Sequence, residues 1–380
     1  MPRLLKLTLS HFRNYGRLTW QPESSLLVLT GENGSGKTNL LEALSLLAPG
    51  RGLRSAPLAQ MGQNGSQDWG ISAHVQTGRG TGHDTGYDRL EIGTGMQSAP
   101  NGPRRVFLIN GKISRGSGSG DETISAVWIT PQMDRLFSES ASGRRRFLDR
   151  LVMAVTPQHA RELAAYDRAM TQRNRLLQTR ASEHVWLGGL EASMARHAVA
   201  VTAARHDTVR QLNHYAQHGL GAFPAVRLEL HCAIAEHLAR APALATEDWL
   251  REQFQQRRFA DREKGRASLG SHRSDMTLTD PRSGQSAEMA STGQQKSLLM
   301  GTVLAHARLV EDHRGAPPLM LLDEPLVHLD AARRTSLLEM LQGFATTVIL
   351  TGTDTAPFAP LRHKALFRTL GHGAFLPEQA

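Results

Sequence analysis

One octet limits what this chain can fold into more than anything else in it. Gly31-Glu32-Asn33-Gly34-Ser35-Gly36-Lys37-Thr38 fits G-x-x-x-x-G-K-[ST], preceded by the apolar run Leu26-Leu27-Val28-Leu29-Thr30 and followed by helical apolar spacing from Asn39 to Leu47. A strand entering a glycine loop that opens a helix is the context in which this pattern has physical meaning. The glycines let backbone amides wrap a β-phosphate, Lys37 reaches the β and γ oxygens, and the Thr38 hydroxyl is placed for Mg²⁺. The octet therefore predicts an α/β nucleotide-binding fold with ATP as cofactor.

A second signal lies far downstream. Leu319-Met320-Leu321-Leu322-Asp323-Glu324 is an apolar strand that ends in two carboxylates. Asp323 is the candidate for the Mg²⁺ shell and Glu324 for polarising the attacking water. With Lys37, these form the candidate catalytic set. Between the two motifs, Ser291-Thr292-Gly293-Gln294-Gln295-Lys296 opens a predicted helix and resembles the S-x-G-Q core of the ABC signature. A serine, a glycine amide and a helix N-terminus make an anion site suited to a γ-phosphate. In ABC-type proteins that phosphate belongs to the nucleotide on the opposite subunit. Leu329-Asp330 then resembles the end of a D-loop, and this order of elements separates the ABC class from other P-loop proteins.

The 380 residues are enough for two or three domains with real cores, and 40% hydrophobic content rules out disorder as the main state. The single cysteine, Cys232, excludes a disulfide framework and any cysteine-based metal cluster. Met1 to Ser10 alternates like a strand and lacks the apolar core of a secretory signal. No apolar run is long enough to span a membrane, so a soluble, cytoplasmic protein is expected. Lys and Arg exceed Asp and Glu by 9, which suits a polyanion partner.

Residues 62 to 125 are rich in Gly and Ser, with short alternating runs at Trp69 to Val75, Tyr87 to Ile92 and Arg105 to Ile109. Asn110-Gly111 is a hairpin signal, and the region reads as an antiparallel β subdomain. Helical patterns then run from Arg144 to about Leu177 and from His184 to about Gly219. A helix of some 30 residues is about 45 Å long, so the pair is expected to form an antiparallel arm. The predicted architecture is an ABC-type P-loop ATPase head (residues 1–143 and 268–380) carrying the β subdomain, with an inserted all-helical arm domain at residues 144–267. His197, His206, His214 and His218 on the helices have no third partner at metal-ligand spacing and read as non-metal.

Several segments together resemble the RecF family, recombination mediators in the SMC-like branch of ABC ATPases. They are His11-Phe12-Arg13-Asn14-Tyr15, Gly31 to Ala43, Arg144-Arg145-Arg146-Phe147-Leu148-Asp149, Tyr166 with Gln172-Arg173-Asn174, Gly270-Ser271-His272-Arg273-Ser274-Asp275, and Ser291 to Lys296. The resemblance spans nearly the whole chain in family order. It implies an ATP-dependent homodimer that clamps duplex DNA near single-strand gaps and works with RecO and RecR to help load RecA. It also implies nucleotide contacts from Gly31 to Thr38, from Arg13 and Asn14, and from Gln132 at a Q-loop position. Ser291, Gly293, Gln294 and Asp330 would complete the partner's site.

Two departures stand out: Val327 replaces the D-loop serine, and Thr351-Gly352-Thr353 holds no switch histidine. Slow ATP turnover is the expected consequence. Arg144 to Arg146 and Arg257 to Arg266 are candidates for duplex-backbone contacts. Aromatic residues interleaved with basic ones are scarce, which favours duplex or junction DNA over bare single strands. A membrane-transporter ATPase subunit is the alternative, but the long insert between Lys37 and Ser291 argues against it. An SMC-type or double-strand-break clamp would need coiled coils far longer than this insert.

Overall fold

The computed structural model describes residues 2–63, 66, 68–77, 88–97, 102, 104–114 and 124–377. The chain opens with strands β1 (Arg3–Phe12), β2 (Tyr15–Trp20) and β3 (Leu26–Thr30), then helix α1 (Lys37–Ser45). Strands β4 (Gly70–Thr77), β5 (Asp88–Gln97), β6 (Arg104–Ile109), β7 (Lys112–Ile113) and β8 (Ala126–Ile129) follow. The middle of the chain holds α2 (Ala141–Val155), α3 (His159–Thr179), α4 (His184–Ala216), β9 (Arg227–His231), α5 (Ala233–Leu238), α6 (Ala243–Gln256) and α7 (Arg258–Lys264). The last part consists of β10 (Asp275–Thr279), α8 (Thr292–Arg314), β11 (Leu319–Leu322), α9 (Ala331–Gln342), β12 (Val348–Thr351), β13 (Leu366–Gly371) and β14 (Ala374–Phe375).

Two six-stranded sheets make the head. One has the order β14-β13-β3-β12-β11-β8 and is parallel from β13 to β8. Its strands β3, β8, β11 and β12 are buried at every residue, which is why they read as unbroken apolar runs rather than alternating ones. The other sheet is antiparallel, with the order β2-β1-β4-β5-β6-β7. In β4 buried and half-buried residues alternate, as expected of a strand with one face on the core. The β subdomain thus exists but extends beyond residues 62 to 125, because β1 and β2 form its edge. Asn110 and Gly111, at φ 49° and 75°, turn β6 into β7 as their residue types predict. The run expected from Tyr87 starts outside the described residues, and its described part is β5.

The helical region differs from expectation in two places. The helix anticipated from Arg144 to Leu177 is two helices, broken at Thr156-Pro157. Thr156 sits at φ −124°, ψ 87°, since proline has no N–H to donate and its ring drives the preceding residue out of helical geometry. A buried polar knot bridges the break: Asp149 on α2 accepts from Arg205 of α4 at 2.7 and 2.9 Å and meets His159 of α3 at 2.8 Å. Burial pushes the Asp149 carboxyl up, but the hydrogen bonds from His159 and Arg205 outweigh it and hold it below the usual carboxylate range. The segment 144–267 is also not wholly helical, because β9 pairs antiparallel with β10 from the C-terminal part of the chain.

Helix α4 links the cores. Val209, Leu212 and Ala216 belong to the main core with both sheets and α8. Met194, Ala195, Ala198 and Val199 belong to a second cluster with α3 and α6, and Leu187 joins Leu176 and Leu177 in a third. Residues 187 to 212 cover about 40 Å along the helix axis, so the third cluster marks an end remote from the head.

Candidate functional site

The topology gathers the sequence motifs onto one edge. In the parallel sheet β12 lies between β3 and β11, with Leu29 opposite Thr351 and Leu350 opposite Leu322. The P-loop after β3, Thr351 at the end of β12 and Asp323 just past β11 therefore meet at the carboxyl ends of the strands, where ligands of such sheets bind. Thr130, just past β8, completes the row.

Gly31 and Gly36 stand at φ 144° and 113°. A Cβ on Gly31 would lie 2.3 Å from the Leu370 carbonyl oxygen, and one on Gly36 would lie 2.7 Å from Asn14 Nδ2 and Tyr15 Oη. Only glycine fits either place. The crest of the loop, Glu32, Asn33 and Gly34, is exposed. Lys37 begins α1 and folds back to donate to the carbonyls of Gly31 (2.5 Å) and Glu32 (2.9 Å). Burial lowers its pKa, while the Glu324 and Asp323 charges oppose that shift. The Ser35 hydroxyl is buried and has no partner among the described residues. These are groups that a phosphate would satisfy.

Thr38 Oγ1 donates to Asp323 Oδ2 at 2.8 Å. The other carboxylate oxygen accepts from Thr351 Oγ1 at 2.7 Å, and that same hydroxyl accepts from the Glu324 amide at 3.0 Å. A converging hydroxyl and carboxylate are the oxygen donors a hard divalent cation takes, so Thr38 and Asp323 fit Mg²⁺. Glu324 itself is held at φ 48°, an uncommon backbone state for a residue other than glycine. Thr351 was invisible to motif reading. The ABC pattern expects a histidine in this segment, and the hydroxyl standing there braces both carboxylate residues.

Behind the loop runs a polar web. Asn14 lies against the Ser35 carbonyl at 3.4 Å and accepts from Asn39 Nδ2 at 2.7 Å. Arg13, at φ 54° in the β1–β2 turn, donates to both oxygens of the buried Glu42 at 2.9 and 2.7 Å and to the Gln60 carbonyl. Arg54 joins Glu42 and Asn39 at 3.0 and 2.6 Å. Arg13 is thus occupied with holding α1, and Asn14 is the member of the pair that touches the P-loop.

The signature turn is formed and faces solvent. Ser291 caps α8, with its hydroxyl accepting from the Gln294 amide (3.4 Å) while Gln294 Oε1 accepts from the Ser291 amide (2.9 Å). Ser291, Thr292 and Gln294 are exposed, and Gly293 is half-buried with the His328 carbonyl 3.3 Å from where its Cβ would be. Thr292 and Gln295 share with Glu324 and Val327 a cavity of about 670 Å³. The buried Lys296 reaches across to Asp134 at 2.9 Å, tying the signature helix to the segment after β8. Gln132 in that segment is exposed and lines a separate cavity with Trp128 and Arg150. Asp330 caps α9, accepting from the Arg333 amide at 2.8 Å and its guanidinium at 2.7 Å. Those bonds, the amide first, hold its carboxyl low.

The first basic run is mostly internal wiring. Arg144 binds Asp275 through two bonds of 2.8 and 2.7 Å, and Arg145 donates to the Ser274 carbonyl at 2.9 Å. Arg146 alone of the three is exposed. In the second run Arg258 is tied to Glu191, while Arg257, Arg262, Lys264 and Arg266 are exposed.

A P-loop, a carboxylate pair at the end of the next-but-one strand, and a signature helix with its N-terminus at the surface define an ABC-type ATPase head. The family model described as RecF/RecN/SMC N terminal domain matches residues 3–356. Proteins named DNA replication and repair protein RecF from Mesorhizobium japonicum and Rhizobium meliloti are 40% identical over 376 residues and 39% identical over 373. These alignments cover 98% and 97% of this chain and 97% of each relative. A solved structure described as the recombination mediator protein RecF-ATPrS in the RecFOR pathway matches with a TM-score of 0.82 at 20% identity, covering 98% of this chain and 97% of that one. The chain belongs to the RecF family.

Proposed function

We propose that this chain is an ATP-dependent DNA clamp of recombinational repair and replication-fork maintenance. Residues 1–143 and 268–380 form the ATPase lobe and residues 144–267 the arm. Gly31 to Thr38 hold the triphosphate, with Asn14 supporting the loop from behind. Thr38 and Asp323 hold Mg²⁺, which neutralises phosphate charge when bound. Glu324 orients and polarises the attacking water, Thr351 holds the Glu324 amide and the second Asp323 oxygen, and turnover is slow. Ser291, Gly293 and Gln294 of one copy complete the nucleotide site of another, and ATP therefore drives a homodimer.

The observation that carries this reading is the signature turn. It is built, capped and turned to solvent, with Ser291, Thr292 and Gln294 exposed and Gly293 half-buried. A formed γ-phosphate site on the surface of an ATPase head is explained by a second copy. The names of the relatives support the repair role. The RecFOR pathway in the structural neighbour's description supports RecO and RecR as partners, and help in loading RecA is the outcome that the family resemblance implies. The net charge of +9 supports duplex DNA and single-strand/duplex junctions as the substrate. Among the described residues no helix is long and apolar enough to cross a membrane, and the proposed compartment is the cytoplasm.

Light scattering with and without ATP and duplex DNA, over a salt series, tests the reading. A dimer that needs ATP, with DNA binding that falls steeply as salt rises, is the expected result. A monomer under every condition overturns it. Glu324→Gln is expected to bind ATP, stall hydrolysis and prolong the dimer, and wild-type turnover in that variant would remove the role of Glu324.

A further inference from the structure

The distal end of the helical arm gathers features the sequence scatters. Among the described residues, the exposed large aromatic side chains are Trp186, 55% accessible, and Phe259, 76% accessible. They lie 73 positions apart in the chain, yet the fold brings their segments together. Arg258 contacts His184 at 3.2 Å and Glu191 at 2.5 Å, and Gln178 donates to the Arg262 carbonyl at 2.5 Å. Helix α7 is therefore seated on the turn between α3 and α4. The small cluster of Leu176, Leu177 and Leu187 beneath this turn gives it a rigid base.

Around the two rings the exposed charges are mainly positive. Arg180 flanks Trp186, and Arg257, Arg262, Lys264 and Arg266 flank Phe259, against Glu183 and Glu263; on the side facing α6, Asp248, paired with Arg251, and Glu252 line a cavity with His184 and Arg258. Beneath α7 the acids are turned inward: Asp261 is buried against Arg173, and Glu191 is shared between Arg173 and Arg258, which leaves Arg262 and Lys264 at the surface with Glu263. Exposed rings beside exposed cations are what sequence-independent single-strand binding requires, because every base has a π-face to stack and every nucleotide a phosphate to neutralise. A duplex hides its base faces and would use only the charges.

We propose that the arm tip is a single-strand nucleic-acid platform, with Trp186 and Phe259 stacking unpaired bases and the flanking arginines and Lys264 holding the phosphates. The proposal deepens the clamp reading and rests on it. The tip stands about 33 Å along α4 from Val209 in the head core, placed to hold the unpaired strand of a junction while the duplex is held elsewhere. Such an arm senses where duplex ends and single strand begins.

The test uses the full chain and compares a labelled oligothymidine with a blunt duplex by fluorescence anisotropy. Trp186→Ala combined with Phe259→Ala is expected to weaken oligothymidine binding by about 30-fold, with blunt-duplex binding changed by no more than about twofold. Both side chains are exposed, and an unchanged thermal melt verifies that the variant folds. Trp186→Phe should keep most of the affinity while removing most of the quenching of intrinsic fluorescence, because Trp20, Trp69 and Trp128 are buried and Trp249 is half-buried, stacked on His237. Arg257→Ala with Arg262→Ala should reduce the single-strand salt slope by about 0.7 per arginine. Equal losses on both DNAs, or no loss on oligothymidine, overturn the platform. So does a double variant that keeps oligothymidine binding but loses a protein partner. Failure of the wild type to bind duplex with ATP would instead strike the clamp reading, whatever the oligothymidine result.

Discussion

Two buried cations in this molecule have opposite surroundings. Arg173, at the centre of the arm, is wholly enclosed and fully engaged: Nε with Glu191 at 2.9 Å, Nη1 with Asp261 at 2.8 Å, Nη2 with the Phe254 carbonyl at 2.7 Å. Lys37, at the head's ligand edge, rests on two loop carbonyls beside an unpartnered serine hydroxyl, with a pKa that burial lowers. The arm has matched each buried charge with its counter-charge. The P-loop has not: Lys37 rests on carbonyls and the Ser35 hydroxyl is left over, a deficit that the proposed triphosphate would fill. A structural ion network and a binding site are told apart by what is still unsatisfied once the chain has folded.

The sharpest way to break this contrast is to remove each cation. Arg173→Met leaves Asp261 and Glu191 buried with less compensation and is expected to cost about 3–5 kcal/mol in urea unfolding. Lys37→Met should stay within about 1 kcal/mol in the same measurement while losing ATP affinity. Comparable losses of stability in the two variants would erase the distinction.

A third buried group extends the comparison to pH. His306 of α8 lies against the Leu151 carbonyl at 2.9 Å, and its Nδ1 is buried without a partner among the described residues. Burial pushes its pKa down from 6.5 to about 4. The folded pKa lies below the unfolded one, so the neutral ring's contribution is fully present above pH 6.5. It is lost as pH falls toward 4, by about 3 kcal/mol in all. His306→Gln should flatten this part of the stability profile, measured as the urea midpoint at pH 7 and pH 5. An unchanged profile would show that the ring titrates normally.

The smallest expected effect sharpens the site itself. Thr351→Val keeps the side-chain volume but leaves Asp323 and the Glu324 amide without their shared hydroxyl. Turnover should fall about tenfold, with ATP affinity little changed, and Thr351→Ser should restore it. An equal loss in affinity would mean that Thr351 only supports the fold.

What could be read in the sequence follows the same division. The P-loop, the Asp323-Glu324 strand end and the signature turn are contiguous motifs whose physics is local, and all three lie where their flanking strands and helices predict. Their meeting on one sheet edge follows from the strand order. The arginines were harder, because a run of charge gives no sign of its partners. Arg144 resembled a phosphate contact until the fold paired it with Asp275, 131 positions away. Arg173 finds Asp261 at a separation of 88. The broken helix at Pro157 was legible in principle, since proline seldom continues a helix. Thr351 was not, because a hydroxyl that braces two carboxylate residues leaves no motif of its own.

Sedimentation of Ser291→Arg with ATP tests the central claim most directly. The exposed turn tolerates the larger side chain, so the variant should fold and bind nucleotide as a monomer. If two copies complete each other's sites, ATP will convert the wild type to a dimer and leave this variant monomeric. A variant that dimerises with ATP as the wild type does would contradict the account.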